Sequence, residues 1–327
     1  MKWIQFGLIT LLAVSVKLFA VDTFDNPVVT DQTHPDPFVF KHDDGWYYGL
    51  STHEGALDIV MFRSKDLVGL YRGECRAIWK STGTDWNKKD VWAPELHLIR
   101  GTFYVYYSAG DGTKQSCGVL KCRGNDPFNG QWEECGRLRS PEADDWSIDG
   151  TVLQQNGKLY FIWSCETPDN MKMQKLLISE MADPTTLVGP RAEISRPSFA
   201  HERRGNAKVI EDVNEGPQVL QHGGKTFLIL FLQFLWNTPL QPGDADVFGD
   251  CGSDDSGELV QVERFSFLGG QRFVRYRSLL VYKIAGWHGG LAGLPRHVER
   301  SKRPTAVCLH AAIHLEARRH SGVWKAA

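Results

Sequence analysis

The sequence predicts an all-β chain assembled from propeller blades. Three observations carry that prediction. First, four similar segments recur: Asp44-Gly45-Trp46-Tyr47-Tyr48, Arg100-Gly101-Thr102-Phe103-Tyr104, Asn156-Gly157-Lys158-Leu159-Tyr160 and Gly223-Gly224-Lys225-Thr226-Phe227. Their second glycines or only glycines stand 56, 56 and 67 residues apart, a period that suits blades of antiparallel sheet. Second, each segment is a turn followed by aromatic and β-branched residues, which is a hairpin signal. Third, each hairpin is preceded by a short apolar strand that opens with a carboxylate. These openings are Asp36-Pro37-Phe38-Val39, Pro94-Glu95-Leu96, Asp149-Gly150-Thr151-Val152 and Glu215-Gly216-Pro217-Gln218-Val219.

The bulk numbers narrow the partners. The chain has 327 residues, enough for one large domain, and a formal net charge of −2. A balance so near neutrality gives no electrostatic case for nucleic acid or an anionic membrane. Eleven Trp, nine Tyr and seventeen Phe fit a β-sheet core and also offer flat faces for sugar rings. Residues 1–20 read as an export signal. Lys2 supplies the charge, Ile4 to Val16 the apolar stretch and Leu18-Phe19-Ala20 the cleavage site. That stretch is too short to span a bilayer comfortably, so a secreted, extracellular protein is expected. Seven Cys agree with an oxidising compartment and show no paired CxxC zinc signature. Cys117 and Cys122 are read as flanking a short turn, where they could pair.

The innermost strand of every blade lines the central channel, so carboxylates at matched blade positions converge there. Repulsion within such a cluster costs stability, which favours a functional reading over strand capping. No Ser/His nucleophile set and no phosphate loop accompanies them. Clustered carboxylates fit glycoside hydrolysis, where one carboxyl donates a proton and another activates water. A hard-cation site is the alternative, but the closely spaced acids of a calcium loop are missing.

Here the sequence resembles a known family. Thr33-His34-Pro35-Asp36-Pro37, Val91-Trp92-Ala93-Pro94-Glu95, Ser147-Ile148-Asp149-Gly150-Thr151 and Asn214-Glu215-Gly216-Pro217 resemble the blade motifs of family 43 glycoside hydrolases. The resemblance implies a five-bladed β-propeller and an inverting mechanism. It implies that Asp36 is the general base, Glu215 the general acid, and Asp149 the carboxylate that orients the acid and tunes it. It places Trp92 and Glu95 in the wall of the substrate pocket. His34 has two equal readings, a turn hydrogen bond or a sugar contact. Within the family the text resembles exo-acting α-L-arabinofuranosidases, with endo-arabinanases and β-xylosidases next and an inactive sugar-binding propeller as the non-enzymatic alternative. A monomer acting on plant cell-wall polysaccharide or oligosaccharide is expected, without a cofactor.

The pattern covers residues 21–229 and then stops. Phe231-Leu232-Gln233-Phe234-Leu235 stays apolar where a loop is due, and Gln271 to Arg303 is rich in Arg, Gly and His without strand alternation. Residues 230–327 are read as out of frame. In a frame shifted by one nucleotide, permissible codons let Leu230 to Gly243 read YSCSFCGTPRYSLG and Val274 to Ser278 read YGTGH, strings that resemble the missing blades in order. The GTGH string resembles the segment that supplies a channel histidine beside a metal ion in many relatives, so no residue of this chain is assigned as a metal ligand. The last blades are expected to be incomplete and the tail irregular.

Overall fold

The computed structural model describes residues 34–167, 170–197, 212–222, 225–232, 260–263 and 278–283. The export signal lies outside the described residues. Sixteen strands are assigned, and a 3-10 turn at Leu70–Arg72 is the one helical element among the described residues. Blade one is β1 (Phe38–Lys41), β2 (Tyr47–Leu50), β3 (Asp58–Ser64) and β4 (Glu74–Lys80). Blade two is β5 (Lys89–Ile99), β6 (Thr102–Gly110), β7 (Gln115–Arg123) and β8 (Gln131–Arg137). Blade three is β9 (Trp146–Gln155), β10 (Lys158–Thr167), β11 (Asn170–Asp183) and β12 (Thr186–Ser195). Each is an antiparallel meander in chain order. The fold is a β-propeller.

The turns form as the repeat requires. Arg100 and Gly101 have φ of 49° and 79°, and Asn156 and Gly157 have 51° and 77°. Two successive positive φ values make the hairpin turn whose twist matches the strands it joins.

Alternation along the strands then builds the core. Phe103, Val105 and Tyr107 of β6 face blade one, with Tyr48, Leu50, Ile59 and Met61. Tyr104 and Tyr106 of the same strand face blade three, with Phe161, Trp163 and Leu177. The central sheet is therefore buried on both faces, and the apolar layers lie between successive blades. Cys117 and Cys122 correct the expectation of a pairing turn. Both sit on β7, and they belong to the layers on opposite faces of it. Five residues apart on one strand, they point opposite ways and cannot join; both are free thiols.

The tail was expected to be largely irregular, and of residues 230–327 only 230–232, 260–263 and 278–283 are described. Within them the fourth blade consists of β13 (Asp212–His222), β14 (Lys225–Leu232), β15 (Val260–Glu263) and β16 (Ser278–Lys283). Its order is β13-β14-β16-β15, and Leu230 is fully buried against Tyr160, Ile162 and Leu228. The reason is local. Ser278-Leu279-Leu280-Val281-Tyr282 is a β-prone run, and the open edge of β14 offers unpaired N–H and C=O groups to any such run. The remainder of the tail, and any fifth blade, fall outside the described residues.

Candidate active site

The inner strands β5, β9 and β13 share one construction. Where each starts to line the channel, its register with the second strand of its hairpin slips, between Trp92 and Glu95, between Ile148 and Thr151, and between Glu215 and Gln218. The backbone turns left-handed at that point, with φ of 44° at Ala93, 55° at Asp149 and 57° at Gly216. Asp36, just before β1, has φ of 52°. A bulge with one left-handed residue bends the strand and re-aims the side chain there. Such a φ strains a residue other than glycine, and strain of this sort gathers at functional sites.

The kinks revise the blade matching. The second-blade residue equivalent to Asp36 and Asp149 is Ala93, and Glu95 stands two residues further along. Three carboxylates therefore sit at or beside the kink. The fourth, Glu95, reaches the same channel because alternate strand residues share a face.

A bulge leaves an N–H without a ladder partner, and the preceding blade supplies one. The Ala93 N–H donates to Thr52 Oγ1 at 2.8 Å, and the Asp149 N–H donates to Ser108 Oγ at 2.9 Å. In the third blade the polarity reverses, and Ser164 Oγ donates to the Asn214 carbonyl at 3.1 Å. Thr52, Ser108 and Ser164 are 56 residues apart. Sequence reasoning missed all three hydroxyls, although their spacing repeats that of the turn glycines.

The acids are coupled. Gly216 N–H donates to Asp149 Oδ2 at 3.0 Å. Burial, then repulsion from Asp36 and Glu95, pushes the Asp149 carboxyl up to about 7, against the lowering effect of the Gly216 N–H. Glu215, 8% exposed, is raised well above the ordinary range by burial, then by Asp149, then by Asp36. Two like charges this close cannot both ionise at neutral pH. The Gly216 N–H favours the ionised form of Asp149, while burial favours the protonated form of Glu215. Asp149 acts more strongly on Glu215 than Asp36 does, the order expected of a nearer neighbour.

The remaining expected residues fall as follows. Glu95, 8% exposed, meets His97 Nε2 through Oε2 at 3.0 Å, and the His97 ring rests edge-on to Tyr106 at 5.4 Å. His97 was not anticipated; its position two residues beyond Glu95 places it on the same strand face. Trp92 is half-buried on β5, opposite Ser108 in register. His34 stacks on Tyr71 at 4.2 Å, and its Nδ1 lies 3.2 Å from Ser51 Oγ. Among the described residues, no three His, Cys, Asp or Glu side chains converge as ligands for a metal ion. Thr52, His97 and the Gly216 N–H contact three of the four channel acids. The channel thus gathers the carboxyls of Asp36, Glu95, Asp149 and Glu215, with those of Asp149 and Glu215 held above their ordinary range.

A family model described as glycosyl hydrolases family 43 matches residues 24–231, and the chain belongs to that family. An extracellular exo-α-(1→5)-L-arabinofuranosidase of Streptomyces avermitilis is 36% identical over 209 residues, covering 63% of this chain and 42% of that protein. One of the same description from Streptomyces chartreusis is 36% identical over 208 residues, covering 63% of this chain and 61% of that protein. The chain thus spans less than two thirds of either relative. Among solved structures, an α-L-arabinofuranosidase from Lactobacillus brevis superposes with a TM-score of 0.59 at 24% identity, over 86% of this chain and 98% of that one. An endo-arabinase from Bacteroides thetaiotaomicron superposes at 0.53 and 14% identity, over 79% of this chain and 96% of that one. At those identities the likeness is one of fold.

Proposed function

We propose that this chain carries the catalytic centre of a secreted, inverting, exo-acting α-L-arabinofuranosidase for arabinan or arabinoxylan. The observation that carries the reading is the unequal pair of acids, Glu215 holding the proton and Asp149 bonded to the Gly216 N–H. In the mechanism, Glu215 gives its proton to the glycosidic oxygen as the bond to the anomeric carbon breaks. Water attacks that carbon from the opposite side, and Asp36 takes a proton from the water. The sugar leaves with inverted configuration. Asp36 then carries a proton and Glu215 a charge, and exchange with solvent restores both. Asp149 keeps Glu215 protonated until the transfer, while Trp92, Glu95 and His34 shape the sugar pocket. The names of the Streptomyces relatives support the arabinose substrate and the extracellular location.

The tail from residue 230 is proposed to be translated out of frame. Restoring the frame is expected to restore the closing blades, and the 327-residue chain as it stands is expected to turn over little or no arabinan. The test is arabinose release by the frame-restored protein, with the first anomer formed identified by proton NMR. Inverted arabinose supports the reading. Release of xylose from xylo-oligosaccharides moves the assignment to a β-xylosidase, cleavage within the chain to an endo-arabinanase, and binding without turnover to a sugar-binding propeller.

A further inference from the structure

We propose that Thr52 is a positioning residue that holds the Asp36 carboxylate, and that the second blade sets its orientation. Thr52 is 6% exposed. Its hydroxyl lies 2.5 Å from Asp36 Oδ2, and the same oxygen receives the Ala93 N–H at 2.8 Å. Its own N–H donates to the Pro35 carbonyl at 2.9 Å.

An amide N–H only donates, so the Thr52 oxygen is the acceptor toward Ala93. The Thr52 hydroxyl proton is directed at Asp36 Oδ2, the arrangement open to an ionised carboxylate, which can only accept. A donor fixed in that direction favours the ionised carboxylate and disfavours the protonated one. The short separation suits a hydroxyl bonded to a charged oxygen, for which about 2.5–2.7 Å is usual. Threonine is also stiff at χ1 because it is branched at Cβ. Tied to Pro35 in its own blade and to Ala93 in the next, it gives the carboxylate little freedom to rotate. Ser108 performs only half of this task. It receives the Asp149 N–H but holds the backbone of that acid, whereas Thr52 holds the carboxylate itself. The first hydroxyl of the repeat therefore couples the tilt of the second blade to the aim of Asp36.

This role rests on the reading of Asp36 as the base, but its test does not. In the full 327-residue chain carrying 13Cγ-labelled aspartate, the Asp36 signal is identified by its loss in Asp36→Asn and followed through a pH titration. Thr52→Val, which keeps the shape and removes the hydroxyl, is expected to raise the Asp36 midpoint by about one pH unit, the scale of one hydrogen bond to a charged group. Thr52→Ser is expected to keep the original midpoint. An unchanged midpoint in Thr52→Val, or an equal rise in Thr52→Ser, overturns the proposal. The unsubstituted chain supplies a second measurement that needs no variant to fold. The Thr52 hydroxyl proton is expected to exchange slowly with solvent while Asp36 is ionised and quickly once it is protonated. Equal exchange in both states also overturns the proposal. If instead Asp36→Asn left arabinose release by the frame-restored protein intact, the base reading would fail while the titration result stood.

Discussion

Replacing Asp149 by asparagine is expected to stabilise the protein at neutral pH while damaging its chemistry. The Asp149 carboxyl is raised from 3.8 to about 7 in the folded chain. Its folded value lies above its unfolded value, so the folded state binds the extra proton, and stability falls as pH rises between the two values. Below about pH 4 both states are protonated and the penalty is absent. Above about pH 7 it is fully developed. Each tenfold rise in proton affinity on folding is worth about 1.4 kcal/mol, which gives about 4 kcal/mol in all. The acids share one proton, so the loss belongs to the pair. Asparagine keeps an acceptor for the Gly216 N–H and tolerates the left-handed backbone at this position. Asp149→Asn should therefore match the unsubstituted chain near pH 4 and exceed it by up to about 4 kcal/mol at pH 8. Urea unfolding at intervals from pH 4 to pH 8 measures the difference directly. Two parallel stability curves across that range would refute the reasoning.

Three other perturbations follow from the site. A Cβ at Gly150 would come within 2.1 Å of Phe161 Cζ, and Phe161 is 1% exposed. Gly150→Ala should destabilise by about 1–3 kcal/mol, as overpacking does, and Phe161→Leu should recover part of the loss; an unchanged melting temperature would show that the ring has room. Ser108→Ala strands the Asp149 N–H and should cost about 1–3 kcal/mol, with Ser108→Thr closer to native in the same denaturation assay. In the frame-restored protein, Glu215→Ala should lower turnover on the order of a hundredfold or more. A substrate with a good leaving group should lose less, and equal losses on both substrates would contradict the acid role.

Much of the fold was legible because its signals are local. A turn glycine and an alternating strand declare themselves within about ten residues, and the hairpins at Gly45, Gly101 and Gly157 formed where expected. Cys117 and Cys122 were misread because the sequence around them offers glycines but no register; they proved to lie within a strand. The acids were legible as a set. Their exact matching was not, because Glu95 is conspicuous as a carboxylate while Ala93 is silent. Only the backbone reveals that Ala93 occupies the kinked position. The hydroxyls at Thr52, Ser108 and Ser164 were overlooked for a similar reason, since a serine in a strand carries no signal until the neighbouring blade is in place. The two short strands described after Leu232 carry no period, because a sheet edge recruits any apolar run without one.

The recurring hydroxyl also has an informational consequence. A repeat that demands one kind of atom once per period works like a check digit, because a reading error breaks the series at a known place. Ser108 and Ser164 each stand six residues beyond the first residue of the second strand of their hairpin, at Thr102 and Lys158. In the fourth blade the same count from Lys225 ends at Phe231, which cannot provide a hydroxyl. In the frame shifted by one nucleotide a permissible codon reads serine there. The break in the series thus falls at the start of the segment proposed to be out of frame. Resequencing the transcript across Ile229 to Leu232 is the shortest check on both, and a verified phenylalanine codon in an uninterrupted frame would leave the fourth blade as the one exception to the series.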